Sequence, residues 1–85
     1  MNTYQVELPD GRIVTRNSKL SFTYAVIVKE VRKGLDAGWF VISYSGNKEL
    51  ADKAMSSTES RYLKPRNNGE FAGSQFAVVE VKAVS

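Results

Sequence analysis

The chain has 85 residues, of which 42% are hydrophobic and 25% are charged, and its formal net charge is +3. This composition predicts one small globular domain and excludes a disordered chain. The sequence has no His and no Cys, so it lacks the side chains used most often for acid–base catalysis near neutral pH and for thiolate chemistry. We therefore expect a non-enzymatic binding domain with no cofactor and no metal site.

The sequence also indicates where the protein is located. No apolar run approaches the roughly 18 residues that a membrane span needs, and the first residues have neither the basic start nor the apolar core of a signal peptide. A chain without Cys is also typical of a reducing compartment. We expect a cytoplasmic protein that does not contact membranes, and its basic balance modestly favours a polyanionic partner.

The first 15 residues predict a β-hairpin. Tyr4, Val6 and Leu8 alternate with polar residues, which is the pattern of a half-buried strand. Pro9-Asp10-Gly11 is a typical turn sequence, and an extended pattern resumes over residues 12–15.

Residues 22–33 allow two interpretations. Tyr24, Ile27 and Val31 follow helical spacing, whereas the β-branched run over residues 26–28 favours a strand. We favour the strand, because residues 34–38 resemble a turn and residues 39–44 form a strongly apolar strand pattern. Together these segments predict a second hairpin.

The second half of the chain predicts one helix and one strand. Asn47 is a good N-cap for a helix over residues 48–57, of about three turns. Residues 56–75 are polar and irregular, so either the helix continues to about Leu63 or residues 58–75 form a flexible loop. Residues 76–84 alternate as a final strand.

These elements predict a single α+β domain, with an antiparallel sheet of about five strands built from two hairpins and the C-terminal strand. One helix would pack on one face of the sheet. An unpaired edge strand would allow a homodimer through strand addition.

Two basic clusters, the second of which includes Tyr62, form the candidate binding surface together with Trp39. Lys and Arg neutralise phosphates, and exposed aromatic rings stack on unpaired bases, but the same residues also suit a solvated surface or a protein contact. Trp39 is either a core residue or an interface anchor. The candidate residues are Lys29, Arg32, Lys33, Trp39, Arg61, Tyr62, Lys64 and Arg66.

Residues 15–19 (Thr-Arg-Asn-Ser-Lys) and 24–28 (Tyr-Ala-Val-Ile-Val), followed by Trp39 and by residues 45–51, form a loose pattern. Over residues 12–55 this pattern resembles small uncharacterised proteins of bacteriophages and mobile elements. Such relatives often carry a His where this chain has Tyr24, so no role of that His transfers. The resemblance implies a phage or plasmid accessory setting, and it implies no activity and no site residues.

Two functions are consistent with these observations. The first is an accessory protein that binds, and in doing so inhibits, a host or defence macromolecule, in the manner of an anti-CRISPR protein. The alternative is a small basic nucleic-acid-binding protein that uses the loop over residues 61–66 together with Lys29, Arg32 and Lys33.

Overall fold

The computed structural model describes residues 2–84. In chain order the elements are β1 (Asn2–Glu7), β2 (Ile13–Ser18), β3 (Tyr24–Arg32), β4 (Leu35–Ser45), α1 (Lys48–Tyr62), a 3₁₀ helix (Pro65–Asn67), β5 (Gln75–Glu80) and β6 (Lys82–Ala83). The α+β class and both predicted hairpins are confirmed.

The strands form two three-stranded antiparallel sheets, not one sheet of about five strands as predicted. We call them the small sheet, with order β2-β1-β6, and the central sheet, with order β4-β3-β5. The predicted final strand is divided at Val81, because β5 pairs with β3 whereas β6 pairs with β1. The Val81 amide donates to the Thr23 carbonyl at 2.9 Å, which anchors the crossing point.

β3 is buried on both of its faces. Ala25 and Ile27 pack with Val6 and Leu8 of the N-terminal segment. Val26 and Val28 alternate with them and are also fully buried, on the face where α1 contacts the central sheet. Burial on both faces explains why this segment is an apolar run rather than an alternating one. The strand interpretation of residues 22–33 is therefore confirmed.

The turn between β3 and β4 differs from the prediction. It lies at Lys33 and Gly34, which both have positive φ angles of 52° and 81°, as tight hairpin turns require. β4 already begins at Leu35, so residues 35–38 are strand and not turn. The second glycine of the predicted turn, Gly38, follows a bulge, in which the Asp36 carboxylate accepts a hydrogen bond from the Gly38 amide at 2.7 Å.

The helix α1 begins as predicted and ends later than residue 57. The Asn47 side chain accepts a hydrogen bond from the Leu50 amide at 2.9 Å, which confirms the N-cap. The helix then continues to Tyr62, so the interpretation that it extends to about Leu63 is correct. Thr58 is 1% exposed in this last part and its hydroxyl donates to the Ala54 carbonyl. Because the buried residue in this part of the helix is a threonine, the sequence shows no apolar periodicity that would predict the last turns of α1.

The segment after α1 runs beside the end of β3. The Lys33 amide donates to the Glu70 carbonyl at 2.7 Å. The Ser74 hydroxyl accepts from the Val31 amide at 2.9 Å and donates to the Val31 carbonyl at 3.2 Å. The flexibility predicted for residues 58–75 stays a prediction, although the first five of these residues are helical.

The core between the two sheets depends on Ile27, which is 0% exposed. We expect Ile27→Ala to lower the free energy of unfolding by about 3 kcal/mol, because it removes apolar contacts and leaves a cavity. Urea denaturation of both proteins measures the difference. Ile13→Ala is the matched control, since Ile13 is 58% exposed, and it should cost less than about 1 kcal/mol. Equal losses would contradict this account of the core.

Candidate binding site

The two basic clusters predicted from the sequence, apart from Lys29, lie at one end of the central sheet. The β3–β4 turn lies at this end. α1 starts just after β4 and runs back along the sheet until the Tyr62 hydroxyl reaches the Glu30 carboxylate at 3.0 Å. The segment after the helix is then bonded to the turn through Lys33 and Glu70. We call the side chains collected here the basic cluster: Arg32, Lys33, Arg61, Lys64 and Arg66.

Glu70 is the carboxylate inside the basic cluster. Its Oε1 atom lies 2.8 Å from Arg32 Nε and 3.6 Å from Lys33 Nζ. The hydrogen bond from Arg32 lowers the pKa of Glu70, and the same bond raises the pKa of Arg32. The Arg32 guanidinium also lies over the Phe71 ring, 5.8 Å from its centroid. Two of the five cations therefore bind an internal anion.

Within residues 2–84, the other three cations have no such partner. Among residues 2–84, no carboxylate lies within ion-pair distance of Arg61, Lys64 or Arg66. Arg61 makes one long hydrogen bond of 3.4 Å to the Thr58 hydroxyl. Arg61 lies in the last turn of α1, and Lys64 and Arg66 follow the helix. The C-terminal end of a helix dipole favours positive charge there.

Asn67 closes the helix end and was missed by the sequence analysis. Its side-chain amide donates to the carbonyls of Arg61 at 3.0 Å and Tyr62 at 2.9 Å. These carbonyls are among the groups that a helix leaves unpaired at its C-terminus. The only signal in the sequence is the polar turn after Pro65, which does not by itself indicate a helix cap. Asn67 fixes the backbone from which Arg61 and Arg66 project.

Tyr62 is part of an aromatic group. Its ring meets Phe71 edge-on at 4.9 Å and Phe76 at 5.4 Å between centroids, and its hydroxyl donates to Glu30. Burial and the bond to Glu30 raise the pKa of Tyr62. The half-buried ring therefore forms the wall of a groove, and the base-stacking role that we predicted for it stays a prediction.

Lys29 and Trp39 lie away from the basic cluster. They are paired across β3 and β4, and Lys29 alternates with Glu30, which faces Tyr62. Lys29 bonds Asp36 at 3.2 Å. Trp39 packs against the core cluster, and its carbonyl accepts a hydrogen bond from the Arg12 guanidinium. The structure thus brings together five of the eight candidate residues, all of them cations, and Tyr62 lies beside them.

Two grooves cross the surface of the basic cluster and share Asn67 as a lining residue. The first has a volume of about 430 Å³ and is polar. The second, of about 550 Å³, combines apolar and charged side chains. The first is lined by Lys33, Arg66, Asn67, Asn68, Gly69 and Glu70, and the second by Glu30, Ile42, Arg61, Tyr62, Asn67 and Phe71.

Exposed leucines border the same end of the molecule. Leu35 is 77% exposed and pairs with Arg32 across the hairpin, and Leu63 is 54% exposed at the end of α1. A surface that combines arginines with exposed apolar side chains can bind an anionic group and an apolar group together. Within the described part of the chain, no three Asp or Glu side chains come together as a metal site.

Comparison with protein-family models, curated proteins and solved structures found no match to this chain. The resemblance to phage and mobile-element proteins therefore stays a prediction. In residues 2–84, no helix is both long enough and apolar enough to cross a membrane.

The ion pairs of Glu70 predict an acid-sensitive contribution to stability. Because the folded pKa of Glu70 lies below its ordinary value of 4.5, the carboxylate stabilises the fold above that value. This contribution is lost as the pH falls through the lowered pKa. We expect the free energy of unfolding to differ less between about pH 7 and about pH 3 in Glu70→Gln than in the wild type.

Urea denaturation at both pH values measures this difference. Glu7→Gln is the matched control, because Glu7 is an exposed carboxylate outside the ion pairs described above, and this variant should keep the wild-type pH dependence. An unchanged pH dependence in Glu70→Gln would show that its ion pairs add nothing to the fold.

Proposed function

We propose that this chain is a non-enzymatic accessory binding protein that contacts a protein partner through the basic cluster. The observation that carries the proposal is that two basic clusters, about 30 residues apart in sequence, share one surface. Like charges held close together repel each other and destabilise a fold. An anionic partner would offset that repulsion.

The surroundings of the basic cluster favour a protein as the partner. Leu35 and Leu63 supply exposed apolar area beside the arginines, and removing apolar area from water favours association. Protein interfaces are also enriched in arginine and in aromatic side chains. The nearby rings of Tyr62 and Phe71 pack against each other. In the phage or mobile-element setting that the sequence resembles, the partner would be a host or defence macromolecule whose activity is inhibited by the contact.

A nucleic acid is the second candidate. It is favoured by Arg61, Lys64 and Arg66, which lie within six residues of one another and have no carboxylate partner within the described chain. Such cations can neutralise successive phosphates without first breaking an internal ion pair.

Affinity capture from a bacterial lysate tests the protein partner. Tagged wild-type protein should enrich a specific protein, and nuclease treatment should leave that enrichment unchanged. The double variant Arg61→Ala/Arg66→Ala should reduce the enrichment about tenfold or more, because charged side chains at an interface centre contribute strongly to affinity.

The matched control for the capture experiment is Lys19→Ala/Lys82→Ala. It removes the same charge from exposed positions elsewhere, so it should capture the partner as the wild type does. If both double variants lose the partner equally, the contact depends on net charge and the proposed site is wrong. If nothing is enriched above a tag-only control, the proposed protein partner is wrong.

Fluorescence anisotropy with labelled single-stranded DNA, duplex DNA and RNA tests the second candidate. A nucleic-acid-binding protein should bind at low salt, and its affinity should fall linearly with salt on a double-logarithmic plot. Substituting Arg61, Lys64 and Arg66 together by Ala should reduce the slope by about two to three. No binding at low salt would exclude this function, and an unchanged slope would exclude this site.

A further inference from the structure

The basic cluster already contains a bound carboxylate, and it belongs to the chain itself. Glu70 contacts Arg32 at 2.8 Å and Lys33 at 3.6 Å through the same oxygen atom. Its side chain is 21% exposed, while those of Arg32 and Lys33 are 61% and 73% exposed. Solvent therefore reaches all three members of this site, and so can a second carboxylate.

The carboxylate of Glu70 can leave without releasing the segment that carries it. The backbone carbonyl of Glu70 accepts from the Lys33 amide, and Ser74 holds Val31 through two further hydrogen bonds. Phe71 packs against Tyr62. Since these contacts do not use the Glu70 side chain, its displacement breaks only the ion pairs with Arg32 and Lys33, whose own side chains are largely exposed.

We propose that Glu70 occupies a carboxylate-binding site, and that an acidic side chain of a peptide segment of the partner replaces it on Arg32 and Lys33. This inference rests on the proposed function and names the group that the basic cluster recognises. Glu70 is then an internal competitor, which weakens the binding of every segment that places an acidic side chain on Arg32 and Lys33.

The neighbouring groove specifies what else the segment carries. Ile42, Tyr62 and Phe71 line it with apolar surface, and Arg61 lies at the same groove. Because the two grooves share Asn67, one short segment can place an acidic side chain in the first and an apolar side chain in the second. The partner segment is therefore acidic and hydrophobic, with both kinds of residue close together.

This chemistry favours a peptide over a nucleic acid. The group now bound to Arg32 is a carboxylate, and the adjoining groove offers apolar side chains as well as charge. A phosphate backbone would use the cations but would leave the exposed Leu35 and the apolar side of the groove without a matching group. Single-stranded DNA is accordingly the comparison probe in the test.

The test measures anisotropy of a fluorescein-labelled synthetic peptide in which Glu and Asp alternate with Leu and Phe. We expect Glu70→Gln to bind this peptide about three- to tenfold more tightly than Glu7→Gln does, because only the first variant removes the competitor. Both variants change the net charge equally. Glu70→Asp keeps the charge but shortens the side chain, and it should give a smaller gain in the same direction.

Arg32→Gln completes a double-mutant cycle. It should weaken peptide binding, and it should reduce the gain from Glu70→Gln, because the competitor and the peptide use the same guanidinium and only Lys33 remains shared. A measured unfolding transition for each variant shows that it is folded. Peptide affinities that are equal in Glu70→Gln and Glu7→Gln, or no peptide binding by Glu70→Gln at low salt, would overturn the proposal.

Single-stranded DNA separates the two anion sources. If Glu70→Gln tightens DNA binding as much as it tightens peptide binding, the site takes phosphate equally well and the assignment of a carboxylate is wrong. The proposed function is tested separately by capture from the lysate. If capture depends on Arg61 and Arg66 but Glu70→Gln does not change the peptide affinity, the proposed function is supported and only this inference is wrong.

Discussion

The burial of β3 on both faces is the constraint on which the rest of the structure depends. Ala25 and Ile27 face the core shared with the small sheet, while Val26 and Val28 lie on the side that α1 contacts. A strand buried in this way needs a covering layer on each side, so a chain of 85 residues must divide its remaining elements between them. Because the C-terminal segment crosses between the sheets at Val81, it pairs with one strand of each sheet.

The site follows from this layering. α1 covers the central sheet and must end where the sheet ends, so its last residues arrive beside the β3–β4 turn. Charges that lie far apart in sequence therefore share one surface, and hydrogen bonds of uncharged groups hold the backbone that carries them. Asn67 fixes the helix end, and Ser74 fixes the returning segment against Val31. The cations project from a frame that these hydrogen bonds help to hold.

The sequence predicted the local elements better than it predicted their arrangement. Alternation identified β1, and the β-branched run identified β3, because each pattern reflects burial directly. The sequence does not predict the turn at Lys33, because a lysine rarely takes a positive φ angle, whereas Gly34 and Gly38 favour a turn over residues 34–38. The candidate cations were visible as residues, but their meeting depends on pairing between Lys33 and Glu70, for which the sequence contains no local signal.

The outer edge of β4 has a consequence for how copies of this molecule meet. β4 is an edge strand of 11 residues, and its pairing with β3 is irregular in register. The Arg12 guanidinium donates a hydrogen bond to the Trp39 carbonyl of this strand. A long, flat and apolar edge is a template on which like strands stack into aggregates. Bends along the strand and a charged group on its backbone interrupt that template. The outer edge of β4 is therefore a poorer template for strand addition than a flat, regular strand of the same length.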